Sequence, residues 1–378
     1  MEYSSFLNLF HVSDVPNIDQ VPDNSSYSTR SPRGTCNVSD GGVKIRKFAV
    51  IGHRGNGMNM LNSSDTRMKH VKENSLLSFN TAATYPLDFV EFDVQVTKDG
   101  CPVIFHDDFI LSQENGTITE NRVTDLNLSE FLAYGPQRDP TKTGKPLVRK
   151  TKEGRVWNWN VENDAPACTL QEVFQQVKPC LGFNIEVKFD DHILYQKGYL
   201  VQVLQTILQV VFENANDRPV IFSSFHPDAA LLLKILQSTY PVFFLTNGGT
   251  EHYDDVRRNS LEEALKLCLE GGLEGIVSEV KGVFGNPAAA SKIRESNLSL
   301  LTYGKLNNVP EAVYIQYLMG IEGVIVDLVQ VITEAVSEMI KPKAEDEEIL
   351  STQVKEKPEF TQRELSFLLK LIPELIQV

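Results

Sequence analysis

The chain has 378 residues, room for one large domain or two ordinary ones, and 42% of them are apolar, enough for a sizeable core. Its formal net charge of -14 argues against non-specific attraction to nucleic acid or anionic membrane, although a local site can oppose the global sign. The five cysteines, Cys36, Cys101, Cys168, Cys180 and Cys268, form no C-x-x-C pair and read as reduced thiols, not as a disulfide framework or a zinc site.

Residues 1–45 are polar, with Pro, Ser, Asn and Asp spread throughout, and read as a mostly irregular N-terminal arm. It has no basic segment leading into an apolar one, so no secretory signal is expected. No apolar run in the chain reaches the ~18 residues of a membrane span. The cytosol is the expected location, with a plastid as the alternative, because residues 25–34 are serine-rich and hold Arg30 and Arg33. The main domain is expected over 46–340. It opens with a buried strand at 47–52 that ends on His53-Arg54-Gly55, and a helix begins after Glu73-Asn74-Ser75.

The most informative stretch is 88–108, DFVEFDVQVTKDGCPVIFHDD. In a strand, side chains two apart share a face, so Glu91 and Asp93 project together while Phe92 and Val94 point the other way. Two carboxylates on one face of a buried strand repel each other and are costly to desolvate unless a cation sits between them. A hard divalent metal, which takes oxygen ligands, answers that need.

Residues 109–168 show little apolar periodicity and are expected to be an inserted loop region after the third strand. Its basic run, Arg138, Lys142, Lys145, Arg149, Lys150, Lys152 and Arg155, precedes Trp157 and Trp159. A solvated loop is the main reading, and a lid that attracts an anionic substrate is the alternative.

From Thr169 the pattern alternates. Helices near 169–178, 198–215, 259–271, 287–296 and 308–319, and one after His226, are interleaved with strands ending at Lys188, Phe225, Thr246, Glu279, Gly304 and Asp327. Such alternation implies parallel pairing and favours a closed (β/α)8 barrel of the TIM type. Nine strand candidates compete for eight places, and the surplus is expected after residue 270. His53, Arg54, Glu91, Asp93, His106, Glu186 and Lys188 all fall at C-terminal strand ends, which converge on one face of a barrel. Ser223 and Ser224 lack the G-x-S-x-G surroundings of a nucleophile and read as polar wall. The segment 341–378 reads as a charged linker followed by an amphipathic helix carrying Leu365, Leu368, Leu369, Ile372, Leu375 and Ile376. That helix is expected to dock on the barrel, with a homo-oligomer contact as the alternative.

Taken in order, GHRG, EN, EFDVQVTKDGCPVIFHDD, NIEVK and SSF strongly resemble the glycerophosphodiester phosphodiesterase family over roughly residues 48–330, in its eukaryotic, plant-like form. The resemblance implies cleavage of glycerophosphodiesters to glycerol 3-phosphate and an alcohol. Carried over by position, it implies Glu91, Asp93 and Glu186 as ligands of one divalent ion, Mg2+ first and Ca2+ second. It further implies His53 and His106 as the acid/base pair, without saying which is which. Arg54 and Lys188 are implied as phosphate contacts, and Glu73 and Asn74 as supporting residues. Where many members place a tryptophan late in the barrel, this chain reads LLTYGKLNN, so Tyr303 is the expected aromatic wall. The competing readings are a lysophospholipase D, for which Trp157 and Trp159 are the hint of an apolar groove, and a non-catalytic barrel scaffold.

Overall fold

Strands buried on both faces read as continuous apolar runs, and helices packed outside them complete the burial. The computed structural model describes residues 48–151 and 154–339; the N-terminal arm at 1–45 and the C-terminal segment at 341–378 lie outside the described residues. The chain starts with β1 (Ala49–Gly52), α1 (Leu76–Ala82), β2 (Phe89–Val96) and β3 (Pro102–Ile104). An insert follows: β4 (Phe109–Glu114), β5 (Thr117–Arg122), the single-turn α2 (Leu128–Phe131), β6 (Leu147–Lys150) and β7 (Val156–Asn158). Strand and helix then alternate through α3 (Leu170–Gln176), β8 (Gly182–Val187), α4 (Lys197–Asn214), β9 (Val220–Ser224), α5 (Pro227–Leu236) and β10 (Val242–Thr246). The last units are α6 (Leu261–Gly271), β11 (Gly275–Glu279), α7 (Val280–Gly285), α8 (Pro287–Glu295), β12 (Ser299–Tyr303), α9 (Pro310–Leu318), β13 (Gly323–Val326) and α10 (Val329–Met339).

β1 pairs in parallel with β2 on one side and with β13 on the other, and β8 to β13 run parallel between them. Eight parallel strands therefore close into a barrel, the expected (β/α)8 architecture. The ninth strand candidate is β3, not an element beyond residue 270. β3 lies antiparallel to β2, with Val94 opposite Ile104. The short turn at Lys98-Asp99-Gly100 allows only that, because a parallel partner needs a crossover of a dozen or more residues.

The insert is not a solvated loop but a four-stranded antiparallel sheet in the order β5-β4-β6-β7. Asn115 and Gly116, both at positive φ (48° and 80°), make the two-residue turn that matches strand twist. A separate core of Val103, Phe105, Ile110, Val123, Phe131, Tyr134 and Trp159 holds the sheet on the barrel.

Inside the barrel, Ile51, Phe89, Ile221, Phe243, Leu245, Val277, Leu301 and Ile325 pack into a floor. The alternate residues, among them Val50, Phe92, Phe183, Ile185, Phe222 and Phe244, pack outward with the helices.

Candidate active site

Above that apolar floor the inward positions become polar. The face that carries Phe89 continues as Glu91 and Asp93, and the β2–β8 register sets Asp93 beside Glu186. β1 stops pairing with β2 at Val90, so both β2 carboxylates stand at the barrel mouth. One oxygen from each of Glu91, Asp93 and Glu186 lies within 4.8 Å of the other two, and all three residues are buried.

The electrostatics of this triad are those of a ligand set. Burial, and after it the Asp93 charge, pushes the Glu91 carboxyl up to about 8. Burial raises Glu186 too, against the pull of Lys188 Nζ 3.0 Å away. Burial also opposes the ionisation of Asp93, yet His106, Lys188, Arg54 and the Asn74 amide hold its carboxyl below the ordinary range. Glu91 Oε1 and Asp93 Oδ1 are buried without a hydrogen-bond partner. Three oxygen donors with lone pairs to spare and mutual repulsion to relieve fit a hard divalent cation.

Local backbone geometry delivers the cations. Arg54 sits at φ 50°, which aims its N–H at Glu91 Oε2 (2.8 Å) while its Nη1 donates to Glu73 (2.8 Å) and its Nε lies 3.6 Å from Asp93. Gly55 follows at φ 95°, where a Cβ would lie 2.4 Å from Ser78 Oγ, so only glycine fits that place in the motif. Asn74, also left-handed at φ 51°, precedes the Ser75 cap of α1 and donates from Nδ2 to Asp93 at 2.8 Å. Lys188, just past β8, places Nζ 3.0 Å from Glu186 and 3.7 Å from Asp93.

Each histidine is oriented by its own carboxylate. His53 Nδ1 lies 2.7 Å from Asp327 Oδ1, and His106 Nδ1 lies 2.7 Å from Asp107 Oδ1. A carboxylate only accepts, so Nδ1 carries a proton in both rings and Nε2 is the nitrogen left to take or give one. The surroundings push the two rings apart. Burial works to lower His53, but Asp327 outweighs it and the pKa rises. Burial, then Arg54 and Lys188, pushes His106 down to about 4. His106 hangs from the β3 hairpin and not from a barrel strand, which corrects the strand-end reading for that residue.

The structure thus gathers His53, Arg54, Glu73, Asn74, Glu91, Asp93, His106, Glu186 and Lys188. Tyr303 also lies at the mouth, its ring 6.1 Å from Phe225 and its hydroxyl bonded to Asn247. A cavity of about 300 Å3 opens alongside, lined by His106, Asp108, Glu186, Lys188, Asp191 and Phe225. Ser223 donates to Asn184 Oδ1 at 3.1 Å, as polar wall would. Trp159 is buried in the insert core with its Nε1 on Asn59 Oδ1, whereas Trp157 is exposed. Within the basic run, Arg138 pairs with Glu172, Lys150 with Glu120, and Arg149 with Glu73 and Asp107.

Two residues of the site were not foreseen. Asp327 follows the last barrel strand, a position that its own C-terminal strand end could have signalled. Arg149 arrives from the insert, 76 residues from Glu73, and no local pattern announces it.

A family model described as the glycerophosphoryl diester phosphodiesterase family matches residues 53–331. The chain is 62% identical over 372 residues to the chloroplastic glycerophosphodiester phosphodiesterase GDPD1 of Arabidopsis thaliana, covering 98% of this chain and 99% of that one. It is 60% identical over 376 residues to GDPD2 of the same organism, covering 97% and 98%. Among solved structures, an Oleispira antarctica phosphodiesterase in complex with the product sn-glycerol-3-phosphate superposes with a TM-score of 0.55 at 19% identity, over 76% of this chain and 96% of that chain.

Proposed function

Since the chain belongs to the glycerophosphoryl diester phosphodiesterase family of enzymes, we propose that it hydrolyses glycerophosphodiesters such as glycerophosphocholine and glycerophosphoethanolamine to sn-glycerol 3-phosphate and an alcohol, in a metal-dependent reaction. The observation that carries this reading is the buried carboxylate triad flanked by two imidazoles, each held by its own carboxylate.

Glu91, Asp93 and Glu186 would hold a divalent ion, Mg2+ or Ca2+, which when bound supplies Lewis-acid polarisation of a phosphoryl oxygen. Arg54 and Lys188 face the same place and offset the charge of the diester oxygens. The opposed shifts of the histidines suggest the division of labour. His106, pushed down to about 4, stays neutral and takes the proton from the attacking hydroxyl. His53, raised by Asp327, keeps its proton for the leaving alkoxide. The glycerol C2 hydroxyl is the internal nucleophile of this reading. Its oxygen bonds to phosphorus as the P–O bond to the alcohol breaks, and water then opens the cyclic phosphate with the two imidazole roles reversed.

A panel of glycerophosphodiesters run against Mg2+, Ca2+ and chelator, reading released glycerol 3-phosphate, tests this. Turnover that chelator abolishes and one of the ions restores is expected. Protein that binds the ion yet leaves every glycerophosphodiester intact sinks the reading. The name of the similar Arabidopsis protein includes a chloroplast location, which favours the plastid alternative for this chain. A fluorescent fusion of the full chain separates plastid from cytosol.

A further inference from the structure

Arg149 lies on β6 of the insert, outside the barrel, yet all of its donors point at the site. Nε donates to Asp107 Oδ2 at 2.8 Å and Nη2 to Asp107 Oδ1 at 3.2 Å. Nη1 and Nη2 donate to Glu73 at 3.1 and 2.7 Å, and Nη1 reaches the Asn59 carbonyl at 3.3 Å. A guanidinium has five N–H groups in a fixed fork, and these five bonds use every one. The group also sits 3.9 Å above the Trp159 ring, with Lys72 Nζ 3.4 Å from the same centroid. The indole Nε1 is tied to Asn59 Oδ1.

The two carboxylates that Arg149 holds are not equivalent. Asp107 orients His106, and Glu73 orients Arg54 while accepting from the Asn59 N–H. We propose that Arg149 is a positioning residue through which the folded insert aligns both His106 and Arg54, so that the insert is part of the catalytic apparatus and not an appendage. This rests on the hydrolytic reading of the same site. It gives the insert sheet a role that the barrel cannot fill, because no barrel strand supplies a fork between Asp107 and Glu73.

The test uses the full chain carrying R149M or R149K, with K150A as a control on the same strand, where Lys150 pairs with exposed Glu120. Misalignment of a catalytic imidazole costs about 10²-fold. R149M is expected to lose about that much kcat on glycerophosphocholine, with KM altered only a few-fold, Mg2+ affinity by calorimetry unchanged, and K150A indistinguishable from wild type. R149K keeps the charge but not the fork, and should fall between. A readout independent of turnover accompanies these: the imidazole N–H proton resonance that disappears in H106N is expected to be sharp in wild type and broadened in R149M, while that of His53 is unaltered. Wild-type protein that leaves all diesters intact counts against the hydrolytic reading, and the resonance still decides the positioning role. A sharp His106 signal in R149M, or wild-type kcat in R149M, overturns the proposal. So does a kcat loss that appears only together with lost Mg2+ binding. Should R149M not fold, R149K decides alone, and wild-type kcat with a sharp signal in that variant overturns it.

Discussion

Replacing Asp327 by asparagine keeps the shape of the side chain and inverts half of its hydrogen bonding. Oδ1 accepts from His53 Nδ1 at 2.7 Å and from the Met58 N–H at 3.0 Å, and Oδ2 accepts from Asn308 Nδ2 at 2.9 Å. Asn308 cannot turn to help, because its own Oδ1 accepts from the N–H groups of Asp327 and Leu328 at 2.7 and 2.9 Å. The new NH2 of D327N must then face either the Asn308 amide or the Met58 N–H, donor against donor. In the second case His53 must also move its proton to Nε2. Each unpaired buried donor costs about 1–3 kcal/mol, and the corresponding amide swap in a Ser-His-Asp triad lowers kcat about 10⁴-fold by imposing the wrong tautomer. A loss of about 10²- to 10⁴-fold in kcat is expected here, or about 2.7–5.4 kcal/mol of barrier. Wild-type Asp327 raises the His53 pKa, so the protonated acid persists to higher pH. D327N lowers that pKa, and the alkaline limb of kcat should move to lower pH. Release of glycerol 3-phosphate measured across pH, with thermal unfolding as the check on folding, decides the matter. A folded D327N with kcat within about threefold of wild type and an unmoved alkaline limb refutes the orienting role.

E91Q removes one of three mutually repelling carboxylates. Its chelated form should melt a few degrees above chelated wild type, while losing the upward shift that Mg2+ or Ca2+ gives wild type in a thermal-shift assay. Burial opposes ionisation of Glu73, but Arg149 and Arg54 outweigh it and hold its carboxyl far below the ordinary range. A depressed carboxyl stabilises the fold above its unfolded pKa of about 4.3 and loses that contribution as pH falls toward the folded value. The unfolding temperature of wild type should therefore drop on acidification below about pH 4, and E73Q should show a shallower drop from a lower neutral-pH value. S223A, which gives up only the bond to Asn184, should keep kcat within about threefold of wild type; near-complete loss would revive a serine nucleophile.

What the sequence discloses follows from how far each signal reaches along the chain. Barrel strands such as VIFSS and VFFLT are apolar on both faces and separated by helices, so they and their order are readable without coordinates. The triad is readable because period two places Glu91 with Asp93, and NIEVK repeats the device one strand over. The insert is harder to read: its strands alternate short polar and apolar residues around a small core, although Asn115-Gly116 between FILSQE and TITENR is a hairpin signal in plain view. The misassigned ninth strand has the same origin, since apolar content alone does not distinguish a hairpin partner such as β3 from a barrel strand. Asp327 and Arg149 are long-range partners, 274 residues from His53 and 42 from Asp107, and such pairings exist only once the barrel has closed and the insert has folded against it.

The side-by-side placement of Asp93 and Glu186 leaves little freedom for changes in strand length. Inserting a single residue before Glu91 would rotate both β2 acids into the packed layer now occupied by Phe92 and Phe183, and would thrust Phe92 into the mouth. The exposed tip at Asn115-Gly116 carries no such constraint, since nothing lies within 4 Å of where a Gly116 side chain would start. Reporter peptides or extra loops grafted there should be tolerated, whereas one added codon in β2 should silence the enzyme.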